Sequence, residues 1–277
     1  MNRIAVCSWS LRPESPAHLV ELCARAGVTR VQVWLDPVRE RRWAPDEVGS
    51  LFRASNITLV SGMFAPAGED YSTLDSIKAT GGVRPDATWE GNQRAAEADA
   101  ILAARYGLPL VTFHAGFITE DHHDPERGVI LERLRALAMV FAARNVRVAF
   151  ESGQETAANL ADALDRLDEA LPEHARVGVN FDPANMILYG SGDPIAALER
   201  LMPRVRQVHV KDAVPSASRG EWGEEKPAGQ GAVDWARFFG VLKDRGYAGD
   251  FVIERESGVA RVDDIRRAKD LILSHLG

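Results

Sequence analysis

Eight short apolar runs are spaced along the whole chain, and nearly every one is followed by an amphipathic segment. Each run is rich in valine and isoleucine and is bounded by glycine, proline or polar residues, which is typical of strands buried on both faces of a parallel sheet. The runs span residues 4–9, 30–35, 57–64, 108–116, 146–153, 176–182, 205–212 and 250–256. The pattern therefore predicts a chain in which strands and helices alternate.

The amphipathic segments have apolar residues at spacings of three and four and end at recognisable caps. Gly27 and Gly107 are predicted C-caps, and Asp124 followed by Pro125 is a predicted helix start. The predicted helices span residues 16–27, 45–56, 92–107, 124–145, 155–170, 193–202, 234–246 and 262–277.

The number of strand–helix units decides the fold class. Eight units in 277 residues predict an α/β protein with a (β/α)8 TIM barrel, formed as a single domain over residues 1–277. A doubly wound sheet is the rival fold, but its Gly-x-Gly-x-x-Gly fingerprint does not follow the first strand.

Composition restricts the kinds of binding partner and the cellular compartment that we expect for this protein. A net charge of −7 suits an enzyme that acts on small molecules and disfavours nucleic acid as a partner. Cys7 and Cys23 are predicted to be buried thiols in a reducing compartment. The N-terminus is a poor signal peptide, and no apolar run approaches the roughly 18 residues of a membrane span. We therefore expect a cytoplasmic protein with no membrane partner.

Two connections between predicted elements are unusually long. One covers residues 65–91 after the third strand, and the other covers residues 213–233 after the seventh. Both are expected on the face of the barrel that carries the carboxyl ends of the strands, where barrel enzymes keep their active sites. We interpret them as lids or binding loops, with surface decoration as the alternative.

The last residues of four consecutive strands are able to bind a metal. Glu151, Asp182, His209 and Glu254 end the fifth to eighth strands and should meet at the mouth of the barrel. Three carboxylates in one place repel each other, and a divalent cation removes that repulsion. The set predicts one divalent ion, with Mn²⁺, Co²⁺, Mg²⁺ or Zn²⁺ as candidates.

A structural ion network is the alternative explanation for these acids. The cations available to it are Lys211, Arg204, Arg206 and Arg255. By strand alternation Lys211 should point the same way as His209, so it could equally orient a carboxylate or a substrate oxygen.

Further candidates surround the expected mouth. His114 ends the fourth strand, either as a metal ligand or as an acid, base or substrate contact. Trp9, Trp34 and Phe113 are candidates for packing against a sugar, although core packing is the alternative, especially for Phe113. Trp222 is a candidate lid residue because an exposed tryptophan in a polar loop needs a partner.

The motifs VAFESG, VNFDPANM, VHVKD, AGQGAVDW and FVIERE resemble the xylose-isomerase-like barrel superfamily of sugar phosphate isomerases and epimerases. The resemblance covers essentially the whole chain. It implies a metal held by Glu151, Asp182, His209 and Glu254, a sugar or polyol substrate, and often a homo-oligomer. It also implies that Glu151 and Glu254 transfer protons on opposite faces of the substrate.

The chain departs from the pattern of the superfamily's ketose 3-epimerases at three places. Asn185 stands where many relatives have a histidine, and Ala157 stands where epimerases have a second glutamate, with Glu155 nearby. Arg219 is the candidate for the arginine that holds substrate oxygens after the seventh strand. We expect a metal-dependent isomerase or epimerase; a metal-dependent lyase or dehydratase and a non-catalytic carbohydrate-binding subunit are the alternatives.

Overall fold

The computed structural model describes residues 3–218 and 220–276. Eight parallel strands close into a barrel in which neighbours along the chain are neighbours in space, in the order β1-β10-β7-β6-β5-β4-β3-β2. These strands are β1 (Ile4–Cys7), β2 (Arg30–Trp34), β3 (Thr58–Met63), β4 (Leu110–Phe113), β5 (Arg147–Glu151), β6 (Gly178–Phe181), β7 (Val205–Val210) and β10 (Phe251–Ile253). The predicted (β/α)8 barrel is confirmed.

Helices cover the outside of the barrel, and all eight predicted helices are present. The α-helices are α1 (Pro16–Ala26), α2 (Asp36–Arg39), α3 (Pro45–Ala54), α4 (Leu74–Thr80), α5 (Asp86–Tyr106), α6 (Pro125–Ala142), α7 (Ala157–Ala170), α8 (Pro183–Tyr189), α9 (Pro194–Leu201), α10 (Trp235–Asp244) and α11 (Arg261–Leu276). Short 3-10 helices lie at Ser8–Leu11, Glu173–Ala175 and Met202–Arg204.

The predicted caps have the expected geometry. Gly27 and Gly107 end α1 and α5 with positive φ angles of 68° and 67°, where a glycine avoids steric cost. Asp124 caps α6 by accepting a hydrogen bond from the backbone N–H of Glu126.

The two long connections contain elements that the sequence analysis did not predict. Within residues 65–91, Thr73 and Ser76 form a capping box that begins α4, and α5 begins at Asp86, six residues before the predicted start. In the other connection, β8 (Asp212–Val214) pairs with β9 (Glu224–Lys226) in a two-stranded antiparallel sheet.

The hydrophobic core lies mainly between the strands and the surrounding helices, and it includes Phe113, Phe150 and Phe181. Cys7 and Cys23 are free and buried, as predicted. Within residues 3–218 and 220–276, no helix combines the length and the apolar character that a membrane crossing requires.

Candidate metal centre

Four side chains from neighbouring strand ends converge in the barrel mouth. Glu151, Asp182, His209 and Glu254 each offer one ligand atom, and these atoms all lie within 4.8 Å of one another. His209 Nδ1 lies 3.5 Å from Glu151 Oε1, 3.6 Å from Asp182 Oδ2 and 3.3 Å from Glu254 Oε2. The four residues are buried, so their charges are poorly solvated.

The two carboxylate oxygens of Asp182 have different surroundings. Oδ1 caps α8 by accepting hydrogen bonds from the backbone N–H groups of Ala184 at 2.7 Å and Asn185 at 3.0 Å. Oδ2 is fully buried and has no hydrogen-bond partner among the residues that the structure describes. The strand therefore ends on a carboxylate that both starts a helix and presents to the cluster an oxygen without a hydrogen-bond donor, 3.9 Å from Lys211 Nζ.

His209 is oriented by polar side chains inside the barrel. Its Nε2 lies 2.9 Å from Gln32 Oε1 and 3.0 Å from Asn180 Nδ2, so the glutamine oxygen accepts from this nitrogen in the tautomer that leaves the lone pair on Nδ1. Within the described part of the chain, Nδ1 has no hydrogen-bond partner. A hydrogen bond to the ring nitrogen that faces away from the cluster commonly fixes the orientation of a metal-binding imidazole.

The barrel interior below His209 is a polar network. Gln207 Nε2 donates to Gln32 Oε1 and to Asn180 Oδ1, at 3.1 and 3.2 Å, and Gln32 Nε2 donates to Thr112 Oγ1 at 2.7 Å. Ser61 Oγ donates to Gln207 Oε1 at 2.6 Å. The residues come from β2, β3, β4, β6 and β7, and the sequence analysis missed all of them as site residues.

The charges of the cluster are unbalanced. Burial lowers the pKa of His209, but Glu254 and Glu151 outweigh that effect and raise it well above its usual value. Burial raises the pKa of Glu254, but Lys211 and His209 hold it below its ordinary value. A divalent cation fits this cluster. The cluster carries an excess of buried negative charge and has a donor set of three carboxylates and one imidazole. Two of its ligand atoms lack hydrogen-bond partners among the described residues.

Lys211 and Asn185 contact the glutamates of the cluster. Lys211 Nζ donates to Glu254 Oε2 at 2.9 Å and to Glu256 Oε2 at 2.5 Å. Asn185 Nδ2 donates to Glu151 Oε1 at 2.8 Å. His209 and Lys211 both approach Glu254 Oε2, at 3.3 and 2.9 Å, which agrees with the expectation from strand alternation that they point the same way.

The other cations of the suggested ion network lie elsewhere. Arg204 pairs with Asp165 and Asp168. Arg255 pairs with Glu225 and Asp264. Arg206 Nη1 donates to the Pro203 carbonyl oxygen at 3.5 Å. Of the four cations, Lys211 alone forms an ion pair with the cluster among the described residues.

A cavity of about 240 Å³ opens above the cluster. Glu151 and Glu254 line it, whereas Asn185 and Lys211 are not part of its lining. The aromatic candidates Trp9, Trp34 and Phe113 also line it, and Trp9 Nε1 donates to Glu254 Oε1 at 2.9 Å.

His114 lies in the same cavity, with Nε2 at 3.7 Å from Glu151 Oε1. Burial lowers its pKa, but Glu151 and Glu69 together with more distant carboxylates raise it overall. Its position is compatible with acid–base work beside the cluster.

Among the lining residues from the loop after β3, Glu69 and Tyr71 carry polar groups that sequence reasoning did not identify. Glu69 accepts hydrogen bonds from the Tyr71 hydroxyl at 3.0 Å and from the Gly82 backbone N–H at 2.9 Å. A glutamate and a tyrosine in a long polar loop carry no sequence signal that distinguishes them from surface residues.

The two long loops meet through aromatic rings. The Trp222 ring centroid lies 6.5 Å from that of Tyr71 and 4.8 Å from that of Tyr189. Trp222 thus has two aromatic neighbours, and its role as a lid residue stays a prediction. Arg219, the candidate for holding substrate oxygens, lies outside the described residues.

Asp212 anchors the loop after β7. Its carboxylate accepts hydrogen bonds from the backbone N–H groups of Gly229, Gly231 and Val233 and from Trp235 Nε1, at 2.8 to 3.1 Å. The AGQGAVDW segment therefore folds back onto the strand end that follows His209.

Comparison with known proteins agrees with this geometry. The family model described as xylose isomerase-like TIM barrel matches residues 20–275. The chain therefore belongs to the xylose isomerase-like TIM barrel family.

Curated relatives and solved structures show the range of proteins that share the fold. The chain is 24% identical over 149 residues to an inosose dehydratase of Clostridium botulinum, covering 49% of each chain, and 27% identical over 121 residues to one of Bacillus thuringiensis, covering 39% of each. It thus spans about half or less of the length of these curated relatives.

Two solved structures extend over nearly the whole chain. A xylose isomerase domain protein from Planctomyces limnophilus is 27% identical, with a TM-score of 0.85 and coverage of 99% of this chain and 96% of that one. A 3-keto-D-glucoside 4-epimerase from E. coli is 15% identical, with a TM-score of 0.73 and coverage of 99% and 100%.

Proposed function

We propose that this protein is a divalent-metal-dependent isomerase or epimerase of a sugar or sugar-like polyol. The observation that carries the proposal is the convergence of four buried ligand groups in which Asp182 Oδ2 and His209 Nδ1 lack hydrogen-bond partners among the described residues. Mn²⁺, Co²⁺, Mg²⁺ and Zn²⁺ are the candidate ions. A bound ion supplies Lewis-acid stabilisation of negative charge on the substrate oxygens.

Side chains of the protein supply the acid, the base and the surfaces that hold the substrate. Glu151 or Glu254, both of which line the cavity, removes the proton on the carbon next to the substrate carbonyl. The other glutamate returns a proton from the opposite face, and His114 is the alternative acid or base. Trp9 and Trp34 offer aromatic faces to a sugar ring and limit the access of water to the carbanion.

A lyase or dehydratase of a keto-sugar, an inosose or a 3-keto-glycoside is the second candidate. It uses the same proton removal, followed by loss of a leaving group on the neighbouring carbon. The curated matches to inosose dehydratases support it. Asn185 supports it as well, because an amide cannot exchange a proton near neutral pH as a histidine can.

A non-catalytic carbohydrate-binding subunit is the third candidate, and the complete set of four ligands argues against it. For every candidate, we propose a cytoplasmic protein whose partner is a small sugar or polyol rather than nucleic acid or a membrane. Assembly into a homo-oligomer is part of the same proposal.

Metal analysis of the purified protein tests the proposal. We expect about one divalent ion per chain, loss of that ion on dialysis against a chelator, and its return when Mn²⁺ is added. Incubation of candidate ketoses and keto-glycosides in D₂O then separates the reactions. Deuterium in an intact sugar indicates isomerisation, and release of the leaving group indicates elimination. A protein that neither retains nor is activated by a divalent ion would contradict both enzyme readings.

A further inference from the structure

A second cavity, of about 280 Å³, lies on the same loops as the candidate metal centre. Three of its lining residues follow residues of the metal centre or of the first cavity by three to seven positions along the chain. Phe117 comes three residues after His114, and Gln154 comes three residues after Glu151. Tyr189 ends α8, which Asp182 begins. The segments after β4, β5 and β6 therefore line the second cavity, together with residues of α4 such as Leu74 and Lys78.

The second cavity has both apolar and hydrogen-bonding surfaces. Phe117 and Tyr189 supply aromatic rings, and the Lys78 ammonium lies 4.3 Å from the Phe117 ring centroid. Gln154 Nε2 donates to the Tyr189 hydroxyl at 3.4 Å. Gln154 Oε1 is buried and has no hydrogen-bond partner in the described part of the chain. An occupant that donates a hydrogen bond would satisfy this acceptor.

Each cavity is lined by a tyrosine, and both tyrosines contact the same tryptophan. Tyr71 lines the first cavity and Tyr189 lines the second, and the Trp222 ring centroid lies 6.5 Å from that of Tyr71 and 4.8 Å from that of Tyr189. A ligand with one part in each cavity would therefore contact a tyrosine ring in both, Tyr71 in the first and Tyr189 in the second. The two cavities are also similar in volume, at about 240 and 280 Å³.

We propose that the second cavity is a subsite for a second sugar ring, so that the substrate is a two-ring glycoside rather than a free monosaccharide. A sugar ring offers apolar C–H faces to Phe117 and Tyr189, hydroxyl donors to Gln154 and hydroxyl acceptors to Lys78. The inference rests on the proposed function, because the first ring must lie at the metal centre.

Calorimetric titration of the Mn²⁺-loaded protein tests this subsite. The probes are methyl α- and β-D-glucopyranoside, maltose, cellobiose and phenyl β-D-glucopyranoside. We expect at least one disaccharide to bind about tenfold more tightly than the methyl glucoside of the same anomer, a difference of about 1.4 kcal/mol. Equal affinities, or tighter binding of the phenyl glucoside than of either disaccharide, would overturn the proposal.

Two variants test whether the disaccharide preference arises in the second cavity. Leu74→Trp places a large ring in the second cavity from the first turn of α4, and should abolish the disaccharide preference while leaving methyl glucoside binding unchanged. Val129→Trp is the matched control, since Val129 is exposed on α6 and lines a different depression. If Leu74→Trp unfolds, Gln154→Ala provides the same test. A preference that survives the substitution in the second cavity rejects the subsite.

The same titrations in a chelator separate this inference from the proposed function. A preference that remains after metal removal, in a protein shown to bind no divalent ion, would keep the subsite and reject the metal chemistry. A metal-dependent enzyme that shows no disaccharide preference would keep the proposed function and reject the subsite.

Discussion

Asn185 donates a hydrogen bond of 2.8 Å from its side-chain amide to Glu151 Oε1. Its own oxygen accepts a hydrogen bond of 3.2 Å from Lys211 Nζ, which in turn donates to Glu254 Oε2 at 2.9 Å. One buried chain of hydrogen bonds thus joins the two glutamates proposed to transfer protons.

Replacing Asn185 should weaken metal binding. We expect Asn185→Ala to lower Mn²⁺ affinity about 10- to 100-fold, because Glu151 loses the donor that orients it. Calorimetric titration measures the change. Asn159→Ala is the control, since Asn159 is also buried and hydrogen-bonded but lies on α7 away from the cluster. An affinity equal to that of the wild type would show that Asn185 does not position the ligand.

The two oxygens of Asp182 can be tested separately. Asp182→Asn retains an oxygen to cap α8 but removes the charge next to Glu254 and Glu151, so the metal-free variant should be at least as stable as the wild type. Its metal affinity should nevertheless fall by tenfold or more. Asp182→Ala removes the cap as well as the charge, so it should lose metal affinity and be about 1 kcal/mol less stable than Asp182→Asn. Urea unfolding in a chelator, together with metal titration, distinguishes the two variants; equal losses of stability would contradict the division of tasks.

Metal should stabilise the folded protein by mass action. At a free Mn²⁺ concentration about 100 times the dissociation constant, unfolding free energy should rise by about 2.7 kcal/mol, because the unfolded chain does not assemble the four ligands. Thermal unfolding over a range of Mn²⁺ concentrations measures the effect. Glu254→Gln should abolish most of the response, while Glu155→Gln, which changes a buried glutamate outside the cluster, should retain it. A full response in Glu254→Gln would remove Glu254 from the ligand set.

Glu155 should make stability depend on pH. Burial raises its pKa from 4.5 to about 7, and its Oε1 accepts a hydrogen bond from the Ile118 backbone N–H. The folded protein therefore binds more protons than the unfolded chain between these values, so this stabilising contribution is lost as pH rises from about 4.5 to about 7. The full difference between a pKa of 4.5 and one of about 7 corresponds to a loss of at most about 3 to 4 kcal/mol.

Urea unfolding in a chelator at pH 5 and at pH 8 measures this contribution. Glu155→Gln should reduce the difference between the two pH values, whereas Glu173→Gln, at an exposed glutamate, should leave it unchanged. A pH difference that is identical in wild type and Glu155→Gln would exclude Glu155 as its source.

The barrel and the ligand cluster were predictable because each depends on local pattern plus one topological rule. Buried strands are visible as apolar runs, and a barrel brings the carboxyl ends of its strands to one face. Glu151 and Glu254 could therefore be placed together although they lie far apart in the chain. The chemistry that they perform stays a proposal.

The polar network inside the barrel was not predictable in the same way. Gln32 and Gln207 are 175 positions apart, and each looks like an isolated polar residue within a strand. Only the closed barrel makes them partners of each other and supports of His209. Likewise, β8 and β9 form a sheet across the long loop after β7, where charged residues such as Glu224 and Glu225 gave no strand signal.

The division of labour within Asp182 restricts which residues can replace it during evolution. Histidine or cysteine at this position could bind a metal but would leave the first N–H groups of α8 uncapped, and serine or asparagine could cap the helix but would lose the charged ligand. Aspartate alone meets both requirements at this reach. A substitution at this position would therefore remove both the helix cap and the charged oxygen, or at least one of them. We expect even a related protein that does not use a metal to keep a capping side chain here.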